Sequence, residues 1–233
     1  MSNFHRDNIE PRSVVMAVLT TVLISIGGLV EIVPLFTSAG PPPMDGIKPL
    51  TALEITGRDI YLREGCYVCH SQMVRPFRSE TLRYGPWSRG GEYVYDHPFQ
   101  LGSRRTGPDL ARVGSKYPDS WHFEHMADAR QTSDGSIMPK YPWLFEWTID
   151  PAQTQATMLA LSRVGVPYTE AQIASAPADM KTQATKIVTG LTAAGYDTTE
   201  DKEIVAVIAY LQQLGVNARA SIEAEQAKTG GTK

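Results

Sequence analysis

Cysteine is scarce in this 233-residue chain: there are two, Cys66 and Cys69, with two residues between them. A single close pair cannot build the disulfide framework of a small secreted domain, so the redox compartment has to follow from what the pair does. An excess of charge of one sign is also missing. The 22 Lys and Arg nearly balance the 25 Asp and Glu, the formal net charge is −3, and the sequence pI is near 6.0. No Lys/Arg-rich run interrupts that balance, which excludes the broad basic surface of a nucleic-acid binder. Internal repeats are absent, and no set of alternating apolar segments reads as strands. The expected fold class is therefore all-α.

Long apolar runs are rare too, and the one present is informative. From Ser13 to Val30 no charged residue occurs; Glu31 interrupts, and Ile32 to Phe36 restore the apolar character. A helix of about 20 residues crosses about 30 Å of hydrocarbon, so this segment reads as an uncleaved transmembrane anchor. A signal peptide is the rival, because Thr37-Ser38-Ala39 loosely resembles a cleavage site, but its apolar region would be longer than usual. Arg6 and Arg12 precede the span and Lys48 follows it, a weak orientation signal. Glu31 is expected near the outer end, reaching the interface or packing on a partner helix. The expected organisation is a cytoplasmic tip and anchor over 1–36, a Pro-rich connector over 37–50, a folded domain over 51–216 and a flexible tail over 217–233.

Within the folded domain, Leu53 to Glu64 has helical spacing, and Thr51 with Glu54 forms a capping-box start. Residues 71–106 read as a long loop rich in Arg and aromatics. A short helix is expected over Asp119 to Ala129, capped by Asp119 or Ser120. Two more helices are expected to begin near Pro151 and Thr169. The last, Thr199 to Leu214, repeats Ile204, Val205, Val207, Ile208, Leu211 and Leu214 at helical spacing and stops at Gly215.

The densest chemistry lies in Cys66-Tyr67-Val68-Cys69-His70. Two thiols three positions apart can each form a thioether with a haem vinyl group, and the following His70 then lies under the iron as proximal ligand. A thioredoxin-like pair would need a βαβ setting, and a zinc site would need a second ligand pair; neither is present. The second axial ligand should come from a downstream loop. Met138, in Ser136-Ile137-Met138-Pro139, follows the short helix and is stiffened by Pro139. Met73 is too close to His70 to cross the ring, while Met126, Met158 and Met180 sit in helical stretches. His122 and His125 are read as a packed helix face, with His125 the remaining alternative as sixth ligand. Gly107-Pro108-Asp109-Leu110 supplies the outer contacts: the Pro108 carbonyl can accept the free imidazole N–H, and Leu110 can pack against the haem.

With these motifs in place, the chain resembles class I c-type cytochromes. Gly57 and Tyr61 match the family's small-plus-aromatic pair on the first helix, which crosses the last helix at Tyr210 and Leu211. More narrowly, GRDIYLREGCYVCHSQMVRPFRSETLRYGPWS, RRTGPDLARVGSKYPDSWH and SIMPKYPWL resemble the mono-haem cytochrome c subunit of cbb₃-type cytochrome c oxidases. The resemblance covers most of residues 10 to 215 and implies one covalent haem c carried outside the membrane, in the periplasm. Electrons would come from a di-haem cytochrome c subunit or a soluble cytochrome c donor and pass to haem b of the catalytic haem-copper oxidase subunit. It also implies a calcium ion at the subunit interface, for which Ser103 is the candidate contact. The 71–106 insertion then reads as a docking surface for the catalytic subunit, with one or more arginines near haem propionates. The rivals are the anchored mono-haem subunit of nitric oxide reductase and a free-standing anchored shuttle. A sensor or peroxidase would want an open iron position, which Met138 would close. With both axial positions filled, the chain by itself is not expected to be a catalyst.

Overall fold

The computed structural model describes residues 4–37, 40–102, 104–219 and 221–222. The chain divides into two compact units, Met1–Pro41 and Pro42–Lys233. The first holds a short helix α1 (Phe4–Asn8) and the apolar helix α2 (Ser13–Thr37). At 1.5 Å per residue, the 25 residues of α2 reach about 37 Å, more than the roughly 30 Å of a hydrocarbon core. Its most apolar window has a mean hydropathy of 2.3, and none of that window is buried against the chain. Among the described residues it is the one helix long and apolar enough to cross a membrane. Pro34 lies in its last turn, where fewer backbone bonds depend on it.

The second unit is helical, and no strand forms among its described residues. Its elements are α3 (Ala52–Arg63), α4 (Arg78–Tyr84), α5 (Asp119–Ala127), α6 (Trp143–Glu146), α7 (Pro151–Arg163), α8 (Glu170–Ala193) and α9 (Glu203–Gln213). The capping box of α3 forms as its sequence predicts: Thr51 Oγ1 accepts from Glu54 N, and Thr51 N donates to Glu54 Oε2 at 2.8 Å. Helix α5 starts differently from expectation. Pro118, whose side chain has no polar atom, occupies the cap position, and the Asp119 carboxylate accepts from Gln212 Nε2 of α9 at 2.6 Å.

The core is organised around the crossing of α3 and α9. A Cβ on Gly57 would lie 1.9 Å from the Ala206 carbonyl oxygen and 2.8 Å from Tyr210 Cβ, so only glycine lets the backbones approach this closely. Tyr61 and Tyr210 meet edge to face just beyond, with ring centroids 5.4 Å apart. Almost all of α9 is buried, which is why its apolar spacing is so legible. The helix begins at Glu203 rather than Thr199, since Lys202 N–H donates to Thr199 O in a turn that precedes it.

Two expectations need correction. The 71–106 segment is not a bare loop: it carries α4 and a 3-10 turn at Gly90–Glu92. The chain beyond 216 is not all flexible tail either. Residues 216–219 and 221–222 are helical, with Ala218 and Ile222 buried, and Arg219 donates to the Gly114 carbonyl at 3.0 Å. Apolar residues at helical spacing after the Gly215 break carry the fold a further turn and a half.

Candidate functional site

Helix α3 delivers the cysteine motif. Its end is fixed by Arg63, whose guanidinium forks onto the Glu203 carboxylate at the start of α9, 2.8 Å at Nη1. Glu64 accepts from the Trp143 indole N–H at 3.0 Å. Gly65 then turns the chain at φ 69°, a left-handed value that suits glycine. Cys66–Val68 form a single 3-10 turn, closed by Cys69 N donating to Cys66 O at 3.2 Å, and His70 N donates to the same oxygen at 2.9 Å. Both thiols are free; Cys66 is half-buried and Cys69 exposed. Burial, with Glu64 nearby, pushes the Cys66 thiol up to about 12.

His70 is held on two sides. Its Nδ1 lies 2.8 Å from the Pro108 carbonyl, which can only accept, so Nδ1 carries the proton and Nε2 is the ring's other nitrogen. A Cβ on Gly107 would lie 2.3 Å from His70 Cε1 and within 3 Å of both ring nitrogens, so Gly107 seats the flat of the ring. Backbone bonds bracket this pair: Gly107 N to Cys69 O at 2.9 Å, and Leu110 N to Ser71 O at 2.8 Å. Burial lowers the His70 pKa, against the opposing pull of the Pro108 bond and Asp109. Burial thus favours the neutral imidazole, the form that binds metals.

Leu110 and Met138 are partly buried against the same core as Cys66. Met138 is half-buried, packs against the core, and has its N–H 3.3 Å from Ser136 Oγ. Tyr141 ties that loop to α5 by donating its N–H to Met126 O. Its hydroxyl is pushed up to about 12 by burial and then by Cys66 and Cys69. Leu110 also packs at the edge of the core. Ser103, the candidate calcium contact, lies outside the described residues.

His122 and His125 occupy the buried side of α5. His122 is 2 % exposed, edge-on to Trp121 and Tyr117, and its Nε2 has no hydrogen-bond partner. His125 stacks on Trp121 with centroids 4.5 Å apart, and its Nδ1 is 2.6 Å from Thr132 Oγ1. Burial moves both down to about 4, with His70 a further cause at His125. Among the described residues no group of three or more His, Cys, Asp or Glu could hold a metal ion, so the pair finds no third ligand.

A buried acid–base cluster escaped the sequence reading. The Asp109 side chain is 0 % exposed. Its Oδ2 accepts from Ser71 Oγ at 2.6 Å, Met73 N at 2.9 Å and Arg105 Nη2 at 3.4 Å, and its Oδ1 accepts from Ala111 N at 2.9 Å. Arg105 also grips Glu80 of α4 at 2.6 Å and holds that carboxyl down to about 2. Glu80 pairs in turn with Arg75, and Arg112 pairs with Glu92 at 2.7 Å. The sequence signal was present only as Asp109 within the Gly-Pro turn, since its partners are scattered along the insertion. Arg105 and Arg112 are therefore internal struts, while the Arg75 side chain stays half exposed. The apolar side chains left facing solvent in the insertion are Phe77, Leu82, Trp87 and Phe99.

A helical domain that presents a turn with two thiols beside an oriented imidazole belongs with the c-type cytochromes. Residues 6–218 match the family model described as cytochrome C oxidase, mono-heme subunit/FixO, and the chain belongs to that family. Compared against curated proteins, it finds no match. Family membership makes it a mono-haem subunit of a membrane-associated cytochrome c oxidase that takes part in electron transfer, and implies one haem c. The residues fit that group: two unpaired thiols, an imidazole with Nε2 not engaged by Pro108, and a glycine where any side chain would displace the ring.

Proposed function

We propose that this subunit relays single electrons from a cytochrome c donor, either a di-haem cytochrome c subunit or a soluble protein, to haem b of the catalytic haem-copper subunit. Cys66 and Cys69 form the thioethers, His70 is the proximal ligand through Nε2, and Met138 is the distal ligand. Bound there, haem c supplies a one-electron Fe(III)/Fe(II) couple, which a His/Met ligand pair sets to a higher potential than two imidazoles would. Pro108 fixes the imidazole plane and its basicity. Leu110 and the methionine loop exclude water from the ring faces. Helix α2 anchors the subunit, and the haem domain lies in the periplasm. Phe77, Leu82, Trp87 and Phe99 form the docking surface for the catalytic subunit, where exposed aromatics add contact area. Calcium at the subunit interface, contacted by Ser103, belongs to the same reading.

The observation that carries this reading is the His70–Pro108 contact beside the free thiol pair, within a chain of the mono-haem family. The test is attachment. After acid-acetone extraction and on a denaturing gel, haem is expected to stay with the polypeptide, and Cys69→Ala is expected to weaken or abolish that retention. Loss of the haem stain from the unaltered chain would overturn the covalent assignment.

A further inference from the structure

The Asp109 cluster stands directly behind the proximal pair. Asp109 follows Pro108, which accepts the imidazole N–H, and its carboxylate bonds Ser71, which follows His70. One side chain thus bolts together the two segments that hold the imidazole and its acceptor. It is wholly buried and paired with Arg105, whose other partner, Glu80, lies on α4 of the insertion. A buried charge acts over several ångströms because little solvent screens it. Removing electrons from a nearby iron is easier beside a negative charge, so such a carboxylate lowers the reduction potential, and the cation beside it opposes that effect.

We propose that Asp109 is a positioning residue for the His70–Pro108 pair, and that the Asp109–Arg105 balance of charge tunes the reduction potential of this subunit's haem. The inference rests on the assignment of His70 as axial ligand. Outer partners of a ligating imidazole fix its orientation and basicity; here that layer extends one shell further, to a carboxylate clamped on both chain segments. The Arg105–Glu80 contact then ties the same clamp to the segment that carries the exposed aromatics.

The experiment is potentiometric titration of the purified complex carrying Asp109→Asn, Arg105→Gln or Arg105→Lys. Asparagine keeps the shape and can keep an acceptor oxygen toward Ser71 and Met73, but removes the charge. Asp109→Asn is expected to raise the potential by at least threefold in the reduction equilibrium constant, roughly 28 mV at about 59 mV per decade. Arg105→Gln leaves the carboxylate uncompensated and is expected to lower the potential by a similar factor, with Arg105→Lys restoring it. A purely structural clamp would loosen the site in both variants and shift both potentials in the same direction, which would overturn the charge assignment. Unchanged potentials in both would overturn the proposal entirely. Should the Asp109→Asn complex fail to assemble, the sign of the Arg105→Gln shift decides. His70→Ala is the independent control: if it keeps the low-spin haem spectrum of the unaltered chain, the ligand assignment fails, whereas its loss together with unshifted Asp109 and Arg105 variants defeats only the tuning.

Discussion

Individual residues at the site are held by very few atoms. His70 has one hydrogen-bond acceptor and one glycine against its face, and each is irreplaceable in a different way. Pro108 offers a carbonyl beside a nitrogen that cannot donate, and Gly107 offers the absence of a Cβ. Met138 is positioned more loosely, by a short turn and by the attachment of Tyr141 to α5. Replacing Met138 with His is expected to keep the iron six-coordinate but lower its potential, because imidazole favours Fe(III) relative to a thioether. A fall of at least tenfold in the equilibrium constant, about 59 mV, is expected in a potentiometric titration. Entry of electrons from the donor becomes correspondingly less favourable, so oxygen consumption by the complex drops while its haem content stays. An unchanged potential would make His125 the next candidate, the remaining alternative for the sixth ligand.

Among the elements, the crossing of α3 and α9 carries the domain. Glycine at 57 is demanded by a backbone carbonyl, which cannot swing aside as a flexible side chain could. Gly57→Ala is expected to push the helices apart and destabilise the domain by about 3 kcal/mol, the upper end of the usual cost of overpacking. Urea unfolding of the haem-loaded chain reads this as a lower midpoint with the slope retained. A midpoint unchanged from the unaltered chain would show that the two helices separate at little cost. The same crossing was expected from the resemblance of Gly57–Tyr61 and Tyr210–Leu211 to the helix pairs of class I c-type cytochromes. The insertion left no such trace. Its ion pairs join Glu80 to Arg105 and Glu92 to Arg112 across irregular chain, where no periodicity records which charge meets which. Its arginines therefore read as interface residues in sequence, while Arg105 is an internal support.

For the whole molecule, the consequence of the first unit is a direction. Helix α2 is long enough to span a membrane with some tilt. Arg6 and Arg12 stand before it and Lys48 within the connector after it, and thioether formation in our reading takes place outside the cytoplasm. A reporter fused after residue 50 is therefore expected to be active only if it is one that works in the periplasm. Activity there of a reporter confined to the cytoplasm would contradict the assigned topology. The relay reading depends on this direction, since it places the exposed aromatics of the insertion and the donor on one side of the membrane.

The sequence by itself determined the helical class, the apolar span and the thiol–imidazole motif. Each is recorded locally, as a run, a spacing or a short motif whose chemistry does not depend on distant residues. Tertiary structure decided which charges neutralise each other and where the folded chain ends. It placed Asp109 behind the proximal pair and gave Glu80 and Arg105 to each other. It also paired Asp119 with Gln212 and buried Ile222 beyond the expected boundary. The physical reason is common to all of these. A polar or charged side chain satisfies itself with whichever partner the fold brings within about 3 Å, and that partner is set by packing rather than by position along the chain.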